Sequence, residues 1–381
     1  MHRDVKPVVA LLVLGPHGSP TAAAAFASKH VVHVKLRGRF KVDPLRVAWQ
    51  ESSFHKTVCV LTLEAYDGAA LAHLPRSLQQ LHIGCCDPVR VHHTLHALSE
   101  PGAAPALTSL SLHSCKTLRA LPDALGQLMT LRALSLSWLW VLTALPETLG
   151  DLAALTHLDI SHCRALVTLP QSLGALRALT SLSVRTCHAL AALPDSLGAL
   201  PSLTALALEE HGALTRLPET LGQLAALRTL SLSYCCALAR VPESLPQLGS
   251  LTALNLFCCW ALPCLPAALG RLRALAALRL RRCTALRALP ASFGQLRALT
   301  TLDLSECGRL AGLPRGVSFT DFPALRQLEV AGCQQPVSAA ADAWNRARWR
   351  RGGSSAQCAA PLPPRAAAAA AAGVDMDVAA A

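Results

Sequence analysis

The chain has 381 residues and a formal net charge of +12, with 52% hydrophobic residues but only 4% aromatic ones. That apolar content is mostly Leu and Ala, and with no run of ~18 apolar residues it excludes a membrane-spanning helix and points instead to a core of repeated layers. The charge is not a nucleic-acid signal: residues 1–56 hold nine Lys or Arg against three acids and residues 337–381 hold five against three, so the middle is nearly balanced and lacks a basic stripe.

Residues 1–29 read as a poorly ordered leader. A charged start, the apolar run Val8 to Leu14 and small residues near Ala25 and Ala27 leave secretion as a minor alternative, weakened by the short run and by Asp4. His2-Arg3-Asp4-Val5-Lys6-Pro7 is similar to a protein-kinase catalytic loop, but Val9 stands at the metal-holding Asn position and no DFG follows. Gly15 to Thr21 has the glycines of a phosphate loop without its lysine.

From residue 30 a leucine rhythm starts unevenly. Val31, Val34 and Leu36, then Val58, Leu61 and Leu63, then Leu78, Leu81 and Ile83 each spell a short strand whose alternate residues face a core. Residues 30–104 are therefore expected to form a degenerate N-terminal cap of a solenoid, since terminal repeats meet solvent on one face. His82, Cys85, Cys86, Asp87, His92, His93 and His96 have zinc-ligand chemistry, but the repeat frame puts Cys86 in the core and His82 on an outer strand face, away from the others. No metal site or cofactor is expected.

The array proper spans 105–336 and is cleanest over 121–312. Copies begin at Leu121, Leu145, Leu169, Leu193, Leu217, Val241, Leu265 and Leu289, a period of 24 residues. In Leu145 to Thr168, Leu155-x-x-Leu158-x-Ile160 is the strand, with Leu158 and Ile160 inward and His157, Asp159 and Ser161 outward. Pro146 ends strand pairing, having no N–H to donate, and Leu149, Gly150 and Leu152 suit a turn or short helical piece. Cys163, Cys187, Cys235, Cys259, Cys283 and Cys307 recur at one place per copy, which reads as a layer of free, buried thiols and hence a reducing, cytoplasmic setting. One copy alone cannot offset the entropy of ordering its backbone, so the copies must stack into a parallel sheet.

The phrase LPETLGQLAALRTLSLSYCCALAR, Leu217 to Arg240, resembles the leucine-rich repeats of plant-type intracellular proteins: the repeat regions of disease-resistance receptors and the plant intracellular Ras-group-like repeat proteins. Some bacterial type III effectors carry similar units. The resemblance covers roughly residues 78–336 and implies an α/β solenoid, a horseshoe with a parallel sheet on its concave face and short helical or turn segments on its convex face. It implies a non-enzymatic scaffold for protein–protein interaction in intracellular signalling or defence. The alternative is a regulator of an enzyme such as a GTPase, or a truncated fragment of a larger repeat receptor or kinase. No nucleotide-switch, kinase or ligase motif accompanies the repeats.

Outward positions vary without touching the core, so they are where specificity would be written. They are Ser135, Ser137 and Trp138; His157, Asp159 and His162; Arg185; Glu209 and Glu210; Tyr234; Asn255 and Phe257; Arg279, Arg281 and Arg282; Asp303 and Glu306; and Glu329. Trp138, His157, Asp159, Arg185, Glu209, Glu210, Tyr234, Phe257, Arg279, Arg281, Arg282, Asp303 and Glu306 are the candidate partner-binding residues, facing a protein or peptide in alternating charge blocks. The competing reading is that Arg and Glu of adjacent copies pair with each other on a solvated face. Residues 337–351 read as a capping helix with Trp344 over the last layer, and 352–381 as a disordered Ala/Pro-rich tail. The expected protein is a monomer with no catalytic residues and no nucleic-acid partner.

Overall fold

The computed structural model describes residues 10–14, 31–39, 58–67, 74–100 and 104–350. The kinase-like phrase at His2 to Pro7, the glycine loop at Gly15 to Thr21 and the tail 352–381 lie outside these. The described chain winds as a solenoid whose fourteen strands form one parallel sheet in chain order. They are β1 (Ala10–Leu14), β2 (Val31–Arg39), β3 (Val60–Asp67), β4 (Gln80–Gly84), β5 (Ser109–His113), β6 (Ala133–Ser137) and β7 (His157–Ser161). The others are β8 (Ser181–Arg185), β9 (Ala205–Glu209), β10 (Thr229–Ser231), β11 (Ala253–Asn255), β12 (Ala277–Arg279), β13 (Thr301–Asp303) and β14 (Gln327–Glu329).

The 24-residue period sets the register, because Leu134 faces Leu158, Leu158 faces Leu182 and Leu182 faces Leu206. Alternation within a strand then sends Leu158 and Ile160 into the core and leaves His157, Asp159 and Ser161 on the concave face. Ala10–Leu14, read from sequence as leader, is a strand: its apolar residues pair in parallel with β2.

On the convex side each clean copy makes a short 3-10 turn. Pro146 starts one at φ −68°, and the Leu149 N–H returns to the Pro146 carbonyl at 3.1 Å. Neighbouring turns are tied by carboxylates: Glu147 accepts from the Gln171 and Ser172 N–H groups at 3.2 and 2.9 Å, and Glu219 does the same for Glu243 and Ser244. The Ser172 N–H holds the Glu147 carboxyl below its ordinary pKa. Gly150 must be glycine, since a Cβ there would collide with the Ser172 carbonyl of the next rung.

Among the described residues, two α-helices flank the array. The first, α1 (Pro88–Ser99), replaces a turn with three helical turns; Asp87 caps it by accepting from the Val89 N–H at 2.8 Å, and Val91, Leu95 and Leu98 are its buried face. The second, α2 (Gln335–Arg350), buries Val337, Ala341 and Trp344 at the end of the array.

Candidate functional site

The concave floor of the clean copies is made of small or polar side chains, and most of its carboxylates are engaged by neighbouring side chains or backbone. His157 and Asp159 lie on β7, where Asp159 accepts from the Ser161 hydroxyl at 2.8 Å and from Ser135 at 3.4 Å. Thr156 Oγ1 lies 2.8 Å from His157 Nδ1. On β8 and β9, Arg185 Nε stands 3.5 Å from Glu209 Oε2, and Ser231 donates to the same carboxylate. Arg279 of β12 is opposite Asp303 of β13 in register, yet it forms no ion pair among the described residues; Asp303 accepts the Ser305 N–H at 3.0 Å.

Other candidate residues lie past the strands, at the rim where the sheet ends. Trp138, Glu210, Tyr234, Arg282 and Glu306 each stand at the turn after a strand, with φ between 59° and 61°. Cys85, Ser114, His162, Thr186 and Cys258 hold the same left-handed conformation, an outlier for Trp and for β-branched Thr. Its cause is a pairing demand: each residue's N–H still donates to the next rung, as Trp138 does to the Ser161 carbonyl at 2.9 Å and Tyr234 to Phe257 at 2.7 Å, before the chain turns inward.

The left-handed residues form a column along the rim in which neighbours touch. His162 stacks on Trp138 with ring centroids 3.9 Å apart and planes within 12°. Thr186 donates to Glu210 at 3.1 Å. Glu306 takes Arg281 at 2.7 Å through one oxygen and Arg282 at 2.6 Å through the other. These two guanidiniums hold the Glu306 carboxyl below the usual carboxylate range, and the Arg282 pKa is raised in return. Tyr234 meets Phe257 edge-on at 4.9 Å, and the Arg281 guanidinium lies 6.0 Å from the Phe257 ring centroid. The basic block at Arg281 and Arg282 and the acid at Glu306 are thus partners of each other.

Beneath the rim runs the cysteine layer. Cys235, Cys259, Cys283 and Cys307 donate their thiols to the carbonyls of Leu208, Leu232, Leu256 and Leu280 in the preceding rung at 3.0–3.2 Å. Burial pushes Cys235 and Cys307 up to about 12, so they stay thiols and act as donors. The layer is interrupted by Leu139 and by His211, a position the sequence reading passed over. His211 is fully buried, with Nδ1 3.1 Å from the Cys187 carbonyl and Nε2 3.1 Å from that of Val184. The residues of zinc-ligand chemistry near α1 go separate ways: Asp87 caps the helix, His92 bonds the Ala120 carbonyl at 3.0 Å, and Cys86 donates to the Gly84 carbonyl at 3.3 Å.

Sequence reading also passed over Lys116, Trp140, Arg164 and Trp260. They lie at one repeat position, two residues beyond the left-handed column, and superimposing the copies at a spacing of 24 would have aligned them.

A parallel sheet on the concave side, short turns on the convex side and a buried donor in most rungs define a leucine-rich-repeat solenoid. The family described as "Leucine-rich repeat region" matches residues 102–235. A search of curated proteins finds no match. Among solved structures, the leucine-rich repeat domain of the type III effector XopL is 28% identical, over 64% of this chain and 81% of that one, with a TM-score of 0.55. An internalin of Listeria monocytogenes is 15% identical over 79% of this chain and 81% of its own, with a TM-score of 0.51. TLR13, solved in complex with ssRNA13, is 19% identical over 85% of this chain and 51% of its own, with a TM-score of 0.56. No described helix is long and apolar enough to cross a membrane.

Proposed function

We propose that the chain is a non-enzymatic interaction scaffold of the intracellular type, holding a protein or peptide partner against its concave face in signalling or defence. The observation that carries this reading is the division of labour within each rung. Leu, Pro, Gly and Cys positions are consumed by stacking, while strand positions such as His157, Asp159, Arg185 and Arg279 take no part in the core and differ from copy to copy. Arg279, without an ion pair among the described residues, is the charge most available to a partner on the floor. Among the described residues fourteen cysteines are free, nine of them buried, which supports a reducing compartment. The structure of Toll with Spatzle, 16% identical over 85% of this chain, offers an instance of the fold engaging another protein.

The test is photo-crosslinking from single positions in the full chain. A crosslinker at Ala277 on the concave face should capture one discrete partner in cells, and a crosslinker at Ala225 on the convex side should not. Equal capture from both, or none from Ala277, refutes the concave-face reading.

A further inference from the structure

Four large aromatic side chains are exposed among the described residues: Trp138, Trp140, Tyr234 and Trp260. None is on a strand. Trp138 and Tyr234 occupy the left-handed column, Trp140 and Trp260 the parallel position two residues on, so all four gather on the rim. By contrast, Phe293, Phe319, Phe322 and Trp344 are buried. Exposed tryptophans on one strip are a costly surface for a chain this poor in aromatics, and Trp and Tyr are the side chains that dominate binding energy at interfaces.

The strip has a defined starting point. One face of the Trp138 ring is covered by His162. On the other side the column continues with Ser114, which is too small to cover an indole. Beyond it a notch of about 370 Å³ opens between the rungs of Cys85 and Ser114, lined by Cys85, Cys86, Asp87, Ser114, Lys116 and Thr117. Trp140 is 6.4 Å from Trp138, with the Lys116 ammonium 5.4 Å and the Arg164 guanidinium 5.9 Å from its ring centroid. Neither cation has a carboxylate partner among the described residues. The one acid lining the notch, Asp87, is engaged as the cap of α1.

We propose that this rim docks an extended acidic peptide, with an aromatic side chain in the notch beside Ser114 and carboxylates on Lys116 and Arg164. From there the peptide runs along the rim toward Tyr234 and Trp260. The six rungs from Trp138 to Cys258 are separated by five spacings of ~4.8 Å, about 24 Å in all, the length of about seven extended residues. Charge complementarity selects the occupant: Lys116 and Arg164, both beside the Trp140 ring, have no ion pair among the described residues, and partner carboxylates supply them. A nucleic-acid strand fits less well, because it needs a continuous cationic track and the same column carries Glu210 and Glu306. The inference rests on the scaffold reading above but places the ligand on the rim instead of the floor.

The experiment is selection of random displayed peptides on the full chain, followed by fluorescence-anisotropy titration of the enriched peptides. The expected winners combine an aromatic residue with Asp or Glu. Their affinity should fall at least about tenfold, roughly 1.4 kcal/mol, in the Trp138→Ala/Trp140→Ala and Lys116→Glu/Arg164→Glu variants, and in Ser114→Tyr, which fills the notch without removing rim side chains. Arg279→Glu should leave affinity unchanged, and circular dichroism melts confirm that each variant is folded. Winners that are neutral or basic, or that bind the rim variants as tightly as the parent, overturn the proposal. So does tighter binding of a mixed-sequence single-stranded RNA. Loss in Arg279→Glu with the rim variants unaffected would sink the rim proposal and leave the scaffold reading standing; selection of no binding peptide would count against both.

Discussion

Acid should loosen the array at the rung of His211, and one substitution should remove that sensitivity. A neutral imidazole donates from only one nitrogen, yet both nitrogens of His211 face backbone carbonyls at 3.1 Å. Protonation would supply the second donor at the cost of placing a charge in the core. Burial is the larger effect and lowers the His211 pKa in the folded protein, with the two carbonyls pulling the other way. For a base whose pKa is lower folded than unfolded, the unfolded chain binds more protons below about pH 6.5. Stability is therefore complete above that pH and falls as the solution is acidified. The slope is at most about 1.4 kcal/mol per pH unit, for as long as the folded protein keeps the ring neutral. His211→Cys restores the layer residue, whose thiol would reach the Val184 carbonyl as its neighbours reach theirs, and should lie within about 1.5 kcal/mol of the parent near pH 8. Urea unfolding of both proteins from pH 8 to pH 5 is the assay. Burial also lowers the pKa of His33, His82, His113 and His162, so both proteins should lose stability in acid, and only their difference reports His211. That difference should move in favour of the variant by up to about 1.4 kcal/mol per unit below pH 6.5. Parallel curves would refute the reasoning, and a parent that gains on the variant in acid would mean that His211 is held as imidazolium between the two carbonyls.

Gly270→Ala should cost about 1–3 kcal/mol in a urea melt, because the new methyl would collide with the Ser292 carbonyl of the next rung, whereas Gly249→Ala meets open space and should be neutral or mildly stabilising. Ser114→Gly should gain roughly 1 kcal/mol by relieving a left-handed residue at φ 56° that is held by no hydrogen bond of its side chain; a loss measured by the same melt would show that the column is not strained. Alkylation with peptide mapping should find Cys85 and Cys264 modified in the native protein while Cys235, Cys259, Cys283 and Cys307 react only on unfolding, and rapid native labelling of that layer would contradict its burial.

The solenoid was legible because stacking forces repetition. Leu158, Ile160, Cys163 and Leu166 recur at a spacing of 24, and that period alone sets the strand register. Even the Cys163 layer could be read as a weak hydrogen-bond donor, and the thiol–carbonyl bonds bear that out. Helix α1 was missed although Val91, Leu95 and Leu98 have helical spacing after an Asp-Pro start, because the strand rhythm on either side set the expectation of a turn. The rim was illegible for a different reason. A left-handed residue normally announces itself as Gly or Asn, and here the column is Ser, Trp, His, Thr, Glu, Tyr, Cys and Arg. Nothing in those letters separates Trp138 or Tyr234 from the strand residue before it, so rim and floor merged into one list.

The charges carry a more general lesson for solenoids. Read along the chain, Arg281 and Arg282 look like a basic patch and Glu306 like an acidic one more than twenty residues away, each on offer to a ligand. Read across rungs, they are adjacent, and a single carboxylate takes both guanidiniums, just as Glu209 takes Arg185. A charge is available to a partner only when no opposite charge of an adjacent rung pairs with it, and register alone does not decide this, since Arg279 faces Asp303 without an ion pair among the described residues. By that criterion Lys116, Arg164 and Arg279 stand out from the array's cations on these faces, since none has an ion pair among the described residues. Two of those three flank Trp140. Arg185 with Glu209 and Arg282 with Glu306 are thus spent on joining rungs, and the cations that remain after such pairing mark where a partner's charge is still needed.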